Sequence, residues 1–283
     1  MRRNTGVKQS WSMTEEAFNC LIDRNRTEAF RKAIMSAVSK GDVVVDAGTG
    51  TGILAMFAAA AGAGKVYAVE VVRRNTEPLA AIFRMNGFGD TIHIIKGDAR
   101  TVTLPQRANV IICEMISTGL IEELQVPVMN RLLTQAAPDV KVVLQSIECH
   151  LELVQAVDTF YGYKMPLIQY EYPREESVHA KPLSAAVAYA RADFTRPIGT
   201  CTAQYSGRVP IVEQGTVNGI RISNLTRFHD GSILRGTAAY CYPLVLPVAP
   251  IEAVRGALLE VNLGYEMCQG VEPLHWSVSR SET

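Results

Sequence analysis

Neither sign of charge predominates in this chain: Lys+Arg and Asp+Glu number 28 each, so the formal net charge is zero. A strongly basic body that could hold a polyanion is therefore excluded, leaving only a local basic patch as an electrostatic route to nucleic acid. Long hydrophobic runs are missing as well. The nearest candidate, 53–61, ends at Gly62 and falls short of the roughly 18 residues that a membrane span takes. The basic stretch MRRNTGVKQSWSM is followed by no apolar segment, so a secretory signal is not expected. None of the six cysteines, at 20, 113, 149, 201, 241 and 268, forms a C-x-x-C pair or has histidine neighbours at zinc-like spacing. They read as small buried hydrophobes, with no structural metal. Together these absences point to a cytoplasmic protein away from membranes. What is present is a globular composition, 48% hydrophobic and 20% charged, over 283 residues. That length suits one large domain or two ordinary ones.

The two halves differ in texture. Nine of the 13 prolines lie beyond residue 160, where apolar residues begin to alternate with polar ones. Before residue 145, short apolar runs alternate with helix-like stretches. Residues 14–38 predict one helix, started by Thr14 and the acidic Glu15 and Glu16. Val43-Val44-Val45 predicts a buried strand, 53–61 a helix, 66–72 a strand, 77–86 a helix and 91–95 a strand. A fourth strand is expected at 109–113, a helix over most of 122–137 and a fifth strand at 141–144. This alternation implies an α/β fold with a doubly wound, Rossmann-like sheet. Farther on, Ile147, Cys149, Leu151 and Leu153 alternate, as do Leu259, Val261, Leu263 and Tyr265. Asn218-Gly219 and Asp230-Gly231 read as turns between such runs. A C-terminal β-barrel or β-sandwich is expected. The resulting division is 1–40 as an N-terminal helical segment, 41–147 as a cofactor-binding domain and 148–283 as a β-rich domain.

The sharpest local signal is Val43-Val-Val-Asp46-Ala-Gly48-Thr-Gly50-Thr-Gly52-Ile53, in which a strand runs through glycines into a helix. This is the setting for a nucleotide-like ligand at a strand's carboxyl end. The dinucleotide fingerprint would need glycine where Ile53 stands. The spacing Asp-x-Gly-x-Gly-x-Gly, from Asp46 to Gly52, instead resembles motif I of class I methyltransferases, which use S-adenosylmethionine and release S-adenosylhomocysteine. That cofactor has no phosphate, so close backbone approach at Gly48, Gly50 and Gly52 matters more than a helix dipole. Glu70 ends the second strand, 18 residues past Gly52, where a carboxylate could accept both hydroxyls of a ribose. Asp98, beside Ala99 after the third strand, could accept from the adenine amino group. The plainer reading of the glycines alone is a tight strand–helix turn, and Arg73, Arg74 and Arg100 read as solvated surface.

Residues 46–70, with Gly52-Ile-Leu-Ala-Met-Phe-Ala, look like the core of the protein arginine methyltransferases. Leu21-Ile-Asp23-Arg24-Asn25-Arg26-Thr27 resembles that family's Leu-x-Asp-x-x-Arg-Thr helix segment. By that resemblance, Arg26 pairs with the cofactor's methionine carboxylate. Cys113-Glu114-Met115, followed nine residues on by Glu123, is similar to the family's double-glutamate loop. Phe160-Tyr161-Gly162-Tyr163-Lys164-Met165 resembles the entry to its barrel. The likeness covers about residues 15–165. The family's N-terminal Tyr-Phe-x-x-Tyr element and its Thr-His-Trp loop are absent, and His275-Trp276 falls too late in the order to supply the latter. The resemblance also implies a homodimer joined through an arm, for which 166–183 offers a short segment.

Two carboxylates suit a guanidinium. It is cationic and planar, with donors in a fixed fork, and as a delocalised cation it is a poor nucleophile. Glu114 and Glu123 could hold it and bias charge away from the nitrogen to be methylated. Each alone has a bland reading, Glu123 with Glu122 as complement to a helix N-terminus and Glu114 as a charged loop residue. The expected activity is thus N-methylation of a guanidino group, in a protein or a small molecule. A nucleic-acid amino methylase is disfavoured because the Glu114-Met115-Ile116-Ser117 stretch lacks the Pro-Pro-aromatic loop that stacks a flipped base. A silent cofactor-binding scaffold is the third reading.

Overall fold

The computed structural model describes residues 15–172 and 179–281. Thr14 lies outside the described residues, as do 173–178 of the expected arm. The chain divides into two compact units, Met1–Glu114 with Pro127–Leu144, and Met115–Val126 with Gln145–Thr283.

The first unit holds α1 (Glu15–Ile22), α2 (Arg24–Ala37), β1 (Val43–Ala47), α3 (Ile53–Ala60), β2 (Lys65–Glu70), α4 (Thr76–Met85), β3 (Ile92–Lys96), β4 (Ala108–Cys113), most of α5 (Gln125–Leu133) and β5 (Ala136–Val142). Its five strands form one parallel sheet in the order β3-β2-β1-β4-β5. Val44 aligns with Val66 on one side and Val110 on the other, and these β-branched residues are fully buried. Phe30, Leu54 and Phe83 from α2, α3 and α4 complete the core. Strand order reverses between β1 and β4, and a crevice at such a reversal, outside the strands' carboxyl ends, is where ligands bind in open α/β sheets.

Two helix expectations are corrected. The single helix at 14–38 is broken at Asp23, whose extended backbone makes it the N-cap of α2 and whose carboxylate accepts the Arg26 N–H at 3.1 Å. The helix expected from 122 begins at Gln125. Pro127, lacking an N–H, suits a first turn, and the N–H groups of Glu122 and Glu123 are taken by Ser117 Oγ. The fifth strand also starts earlier than expected, at Ala136.

The second unit is antiparallel. Its strands are β6 (Leu144–Gln155), β7 (Thr159–Phe160), β8 (Tyr163–Lys164), β9 (Gln169–Tyr170), β10 (Lys181–Pro182), β11 (Val187–Asp193), β12 (Thr202–Pro210), β13 (Gly215–Phe228), β14 (Ile233–Arg235), β15 (Leu244–Ala253), β16 (Leu258–Glu266) and β17 (His275–Arg280). One sheet runs β10-β6-β13-β15-β9 with β11 on β6 and β14 on β13; a second runs β12-β16-β17. The alternating residues of β6 and β16 are buried as their period predicts. Asp230-Gly231 turns between β13 and β14, with Gly231 at φ 81°. Asn218-Gly219 does not turn. It lies inside β13 at a bulge, where the Asn218 amide bonds both backbone groups of Ala156 and Gly219 lies against Val245.

Candidate active site

The glycine loop leaves β1 through three left-handed residues, Gly48 (φ 70°), Gly50 (φ 53°) and Gly52 (φ 80°). The N–H groups of Gly48 and Thr49 donate to the Val69 carbonyl at 3.1 and 3.0 Å, which pins the loop to the end of β2. Asp46, 1% exposed, accepts the Thr49 hydroxyl at 2.7 Å. Burial raises its carboxyl to about 6, against the Thr49 hydrogen bond and the charge of Arg26. This side-chain hydrogen bond thus shapes the loop from within.

Glu70, at the end of β2, is buried, and it accepts the Gly50 N–H at 3.3 Å and the Val72 N–H at 2.8 Å through different oxygens. A carboxylate oxygen has more than one acceptor direction, so capacity for hydroxyl donors remains. Asp98 is more open. Arg100 grips it through its backbone N–H and guanidinium at 2.6 to 3.1 Å, and these hydrogen bonds hold its carboxyl below the usual range. Arg100, read from sequence as solvated surface, is exposed and also partners Asp98. Ala99 is buried beside them.

Arg26 is 4% exposed. One Nη donates to the Cys20 carbonyl at 3.0 Å and the other pairs with Glu114, while the guanidinium carbon stands 5.6 Å from the Phe30 ring centre. Burial lowers its pKa, opposed by Cys20, Asp23 and Asp46, yet a guanidinium keeps its charge in proteins. Its Nε is buried with no partner among the described residues. A buried cationic donor of this kind suits a carboxylate. The first unit therefore brings Arg26, Asp46, the three glycines, Glu70 and Glu114 to the carboxyl ends of β1, β2 and β4. Glu123 belongs to the second unit, on the 115–126 stretch.

Several contributors were not read from the sequence. Asp23 caps the helix that presents Arg26, Thr49 braces Asp46, and fully buried Gln125 accepts the Met115 N–H at 2.8 Å. Ser117 gathers two backbone N–H groups. Of these, only Asp23, three residues ahead of Arg26, carried a local capping signal.

Residues 20–124 match a family model described as the TRM5/TYW2 methyltransferase domain. The uncharacterized protein MJ1452 of Methanocaldococcus jannaschii is 33% identical over 252 residues, covering 88% of this chain and 90% of that protein. The rice protein arginine N-methyltransferase PRMT10 (Oryza sativa subsp. japonica) is 40% identical over 105 residues, 36% of this chain but only 27% of the rice enzyme. Among solved structures, the Trypanosoma brucei PRMT1 enzyme-prozyme heterotetrameric complex with AdoHcy superposes with a TM-score of 0.77 at 20% identity, over 94% of this chain and 93% of that one.

Proposed function

We propose that this chain, which belongs to one family with the M. jannaschii protein and is an S-adenosylmethionine-dependent methyltransferase resembling the protein arginine methyltransferases, methylates a guanidino nitrogen of an arginine-like acceptor, in a protein or a small molecule. The observation that carries this reading is Glu114. Its side chain, 13% exposed at the end of β4, takes the guanidinium of Arg26 through Oε2, so a guanidinium is a partner this carboxylate accepts. Oε1 would receive the acceptor's fork, with Glu123 as the second carboxylate.

Arg26 would bind the cofactor's carboxylate through Nε, and Glu70 its ribose hydroxyls. Gly48, Gly50 and Gly52 would admit its body, Asp98 with Ala99 its adenine, and Asp46 would keep the loop in shape. When bound, S-adenosylmethionine supplies an electrophilic methyl on a sulfonium sulfur, which keeps the electron pair of the broken bond. Glu114 and Glu123 hold the acceptor's plane and draw positive charge away from the attacking nitrogen. They are also bases for the proton that this nitrogen sheds. In this reading residues 1–40 cap the cofactor, 41–147 bind it, and 148–283 take substrate or a partner protomer. A cytoplasmic location belongs to the same reading.

The test is transfer of labelled methyl to free arginine, Arg-Gly peptides, RNA and lysate small molecules side by side. We expect label on a guanidino compound, falling about 10²- to 10³-fold in Glu123→Gln and in Glu114→Gln. Label confined to RNA or to non-guanidino compounds overturns the acceptor. Cofactor binding without any transfer supports a silent scaffold instead.

A further inference from the structure

The stretch that carries Glu123 bends against its own conformational preference. Gly119 has φ 64° and Leu120 φ 57°, and a left-handed leucine is rare and persists only where surrounding structure over-determines it. The determinants lie far along the chain, all within the second unit. Asn224, 5% exposed, uses both ends of its amide. Its Oδ1 accepts the Gly119 N–H at 2.8 Å, and its Nδ2 donates to the Ser117 carbonyl at 2.8 Å and to Cys241 Sγ at 3.3 Å. The Tyr265 hydroxyl donates to the Gly119 carbonyl at 2.7 Å and lies 2.7 Å from the Tyr189 hydroxyl. The carbonyls of Leu120 and Ile121 accept from the N–H groups of Cys268 and Gly270 at 2.8 and 2.9 Å. Ser117, fixed in this way, offers its Oγ to the N–H groups of Glu122 and Glu123 at 3.1 Å each.

We propose that Asn224 and Tyr265 are positioning residues for methyl transfer: they lock the Ser117–Leu120 bend, and through Ser117 they fix the backbone of Glu123 before an acceptor arrives. This rests on the reading of Glu123 as an acceptor-binding carboxylate. Neither residue touches the reacting atoms. The amide of Asn224 acts as a short piece of strand, giving one donor and one acceptor to a segment that cannot pair regularly because of its left-handed turn. An Asp at 224 keeps the acceptor for Gly119 but sets an oxygen against the Ser117 carbonyl. A Phe at 265 keeps the ring and removes only the hydroxyl.

The experiment uses Asn224→Asp and Tyr265→Phe in the full chain. It reads S-adenosylhomocysteine affinity, kcat and KM with an Arg-Gly peptide, and amide hydrogen exchange along the chain. Expected are cofactor affinity within about twofold of wild type, kcat lowered about 10- to 100-fold, and exchange at 117–123 faster by about tenfold or more while β1 and β2 are unchanged. Unchanged exchange at 117–123 overturns the lock, and faster exchange there with normal kcat overturns its role in transfer. Faster exchange everywhere with loss of cofactor affinity also overturns it, since the two residues would then be ordinary supports of the fold. If wild type methylates no guanidino probe, the acceptor assignment fails by itself, and localised exchange in the variants still decides for or against the lock.

Discussion

Replacing Gly52 by alanine sets two separable penalties on one loop. Gly52 stands at φ 80° where the loop enters α3, and holding an L-residue in the left-handed region costs about 1–2 kcal/mol. A Cβ there would lie 2.5 and 2.7 Å from Cε1 and Cζ of Phe83 and 3.1 Å from Cδ2 of Leu79. Phe83 is 1% exposed and Leu79 fully buried, so the ring has nowhere to swing, and overpacking adds about 1–3 kcal/mol. The expected loss is about 2–5 kcal/mol, a large share of an ordinary domain's stability. Urea unfolding of the Gly52→Ala protein measures it. Phe83→Leu removes the colliding ring atoms at a cost on the order of 1 kcal/mol alone. Combined with Gly52→Ala it should recover most of the overpacking, so the double variant is less damaged than the sum by about 1–3 kcal/mol. S-adenosylhomocysteine affinity should fall in Gly52→Ala more than in Phe83→Leu, because the displaced backbone is the proposed cofactor cradle. A loss below about 0.5 kcal/mol, or strict additivity in the double variant, would refute the reasoning.

Two further outcomes follow from buried polar groups. The folded Asp46 carboxyl, raised by burial to about 6 from an ordinary 3.8, holds its proton more tightly than in the unfolded chain. Its stabilising contribution is therefore complete below pH 3.8 and is lost as the pH rises to about 6. Asp46→Asn has no such slope, so its stability relative to wild type should climb by about 3 kcal/mol across that window and then level off; denaturation curves that stay parallel from pH 4 to 7 would contradict this. Asn218→Ala leaves both backbone groups of Ala156 without the amide that bonds them at 2.6 and 2.9 Å. It should cost about 2–3 kcal/mol by thermal or chemical unfolding, and a change within about 0.5 kcal/mol would show that water replaces the amide.

What the sequence determined by itself was written in short-range terms. A β-branched run at Val43–Val45 needs two buried faces, an Asp-x-Gly-x-Gly-x-Gly turn needs left-handed residues, and acids just past such strands fall at a sheet's carboxyl edge. Hence the parallel sheet, the loop, Glu70 and Glu114 were legible, and so were the alternating strands of the second unit. Tertiary structure decided whatever depends on a partner far along the chain. Asn218-Gly219 carries a strong turn signal, yet Ala156, 62 residues away, satisfies the Asn218 amide, and the pair stays in a strand. Arg26 meets Glu114 across 88 residues, a pairing no local pattern encodes. The bend at Ser117–Leu120 exists because Asn224, 105 residues from Gly119, supplies the hydrogen bonds that a left-handed segment cannot find in a regular helix or strand. Local propensity sets which conformations a segment can adopt, and the satisfaction of its buried polar groups by distant residues selects among them.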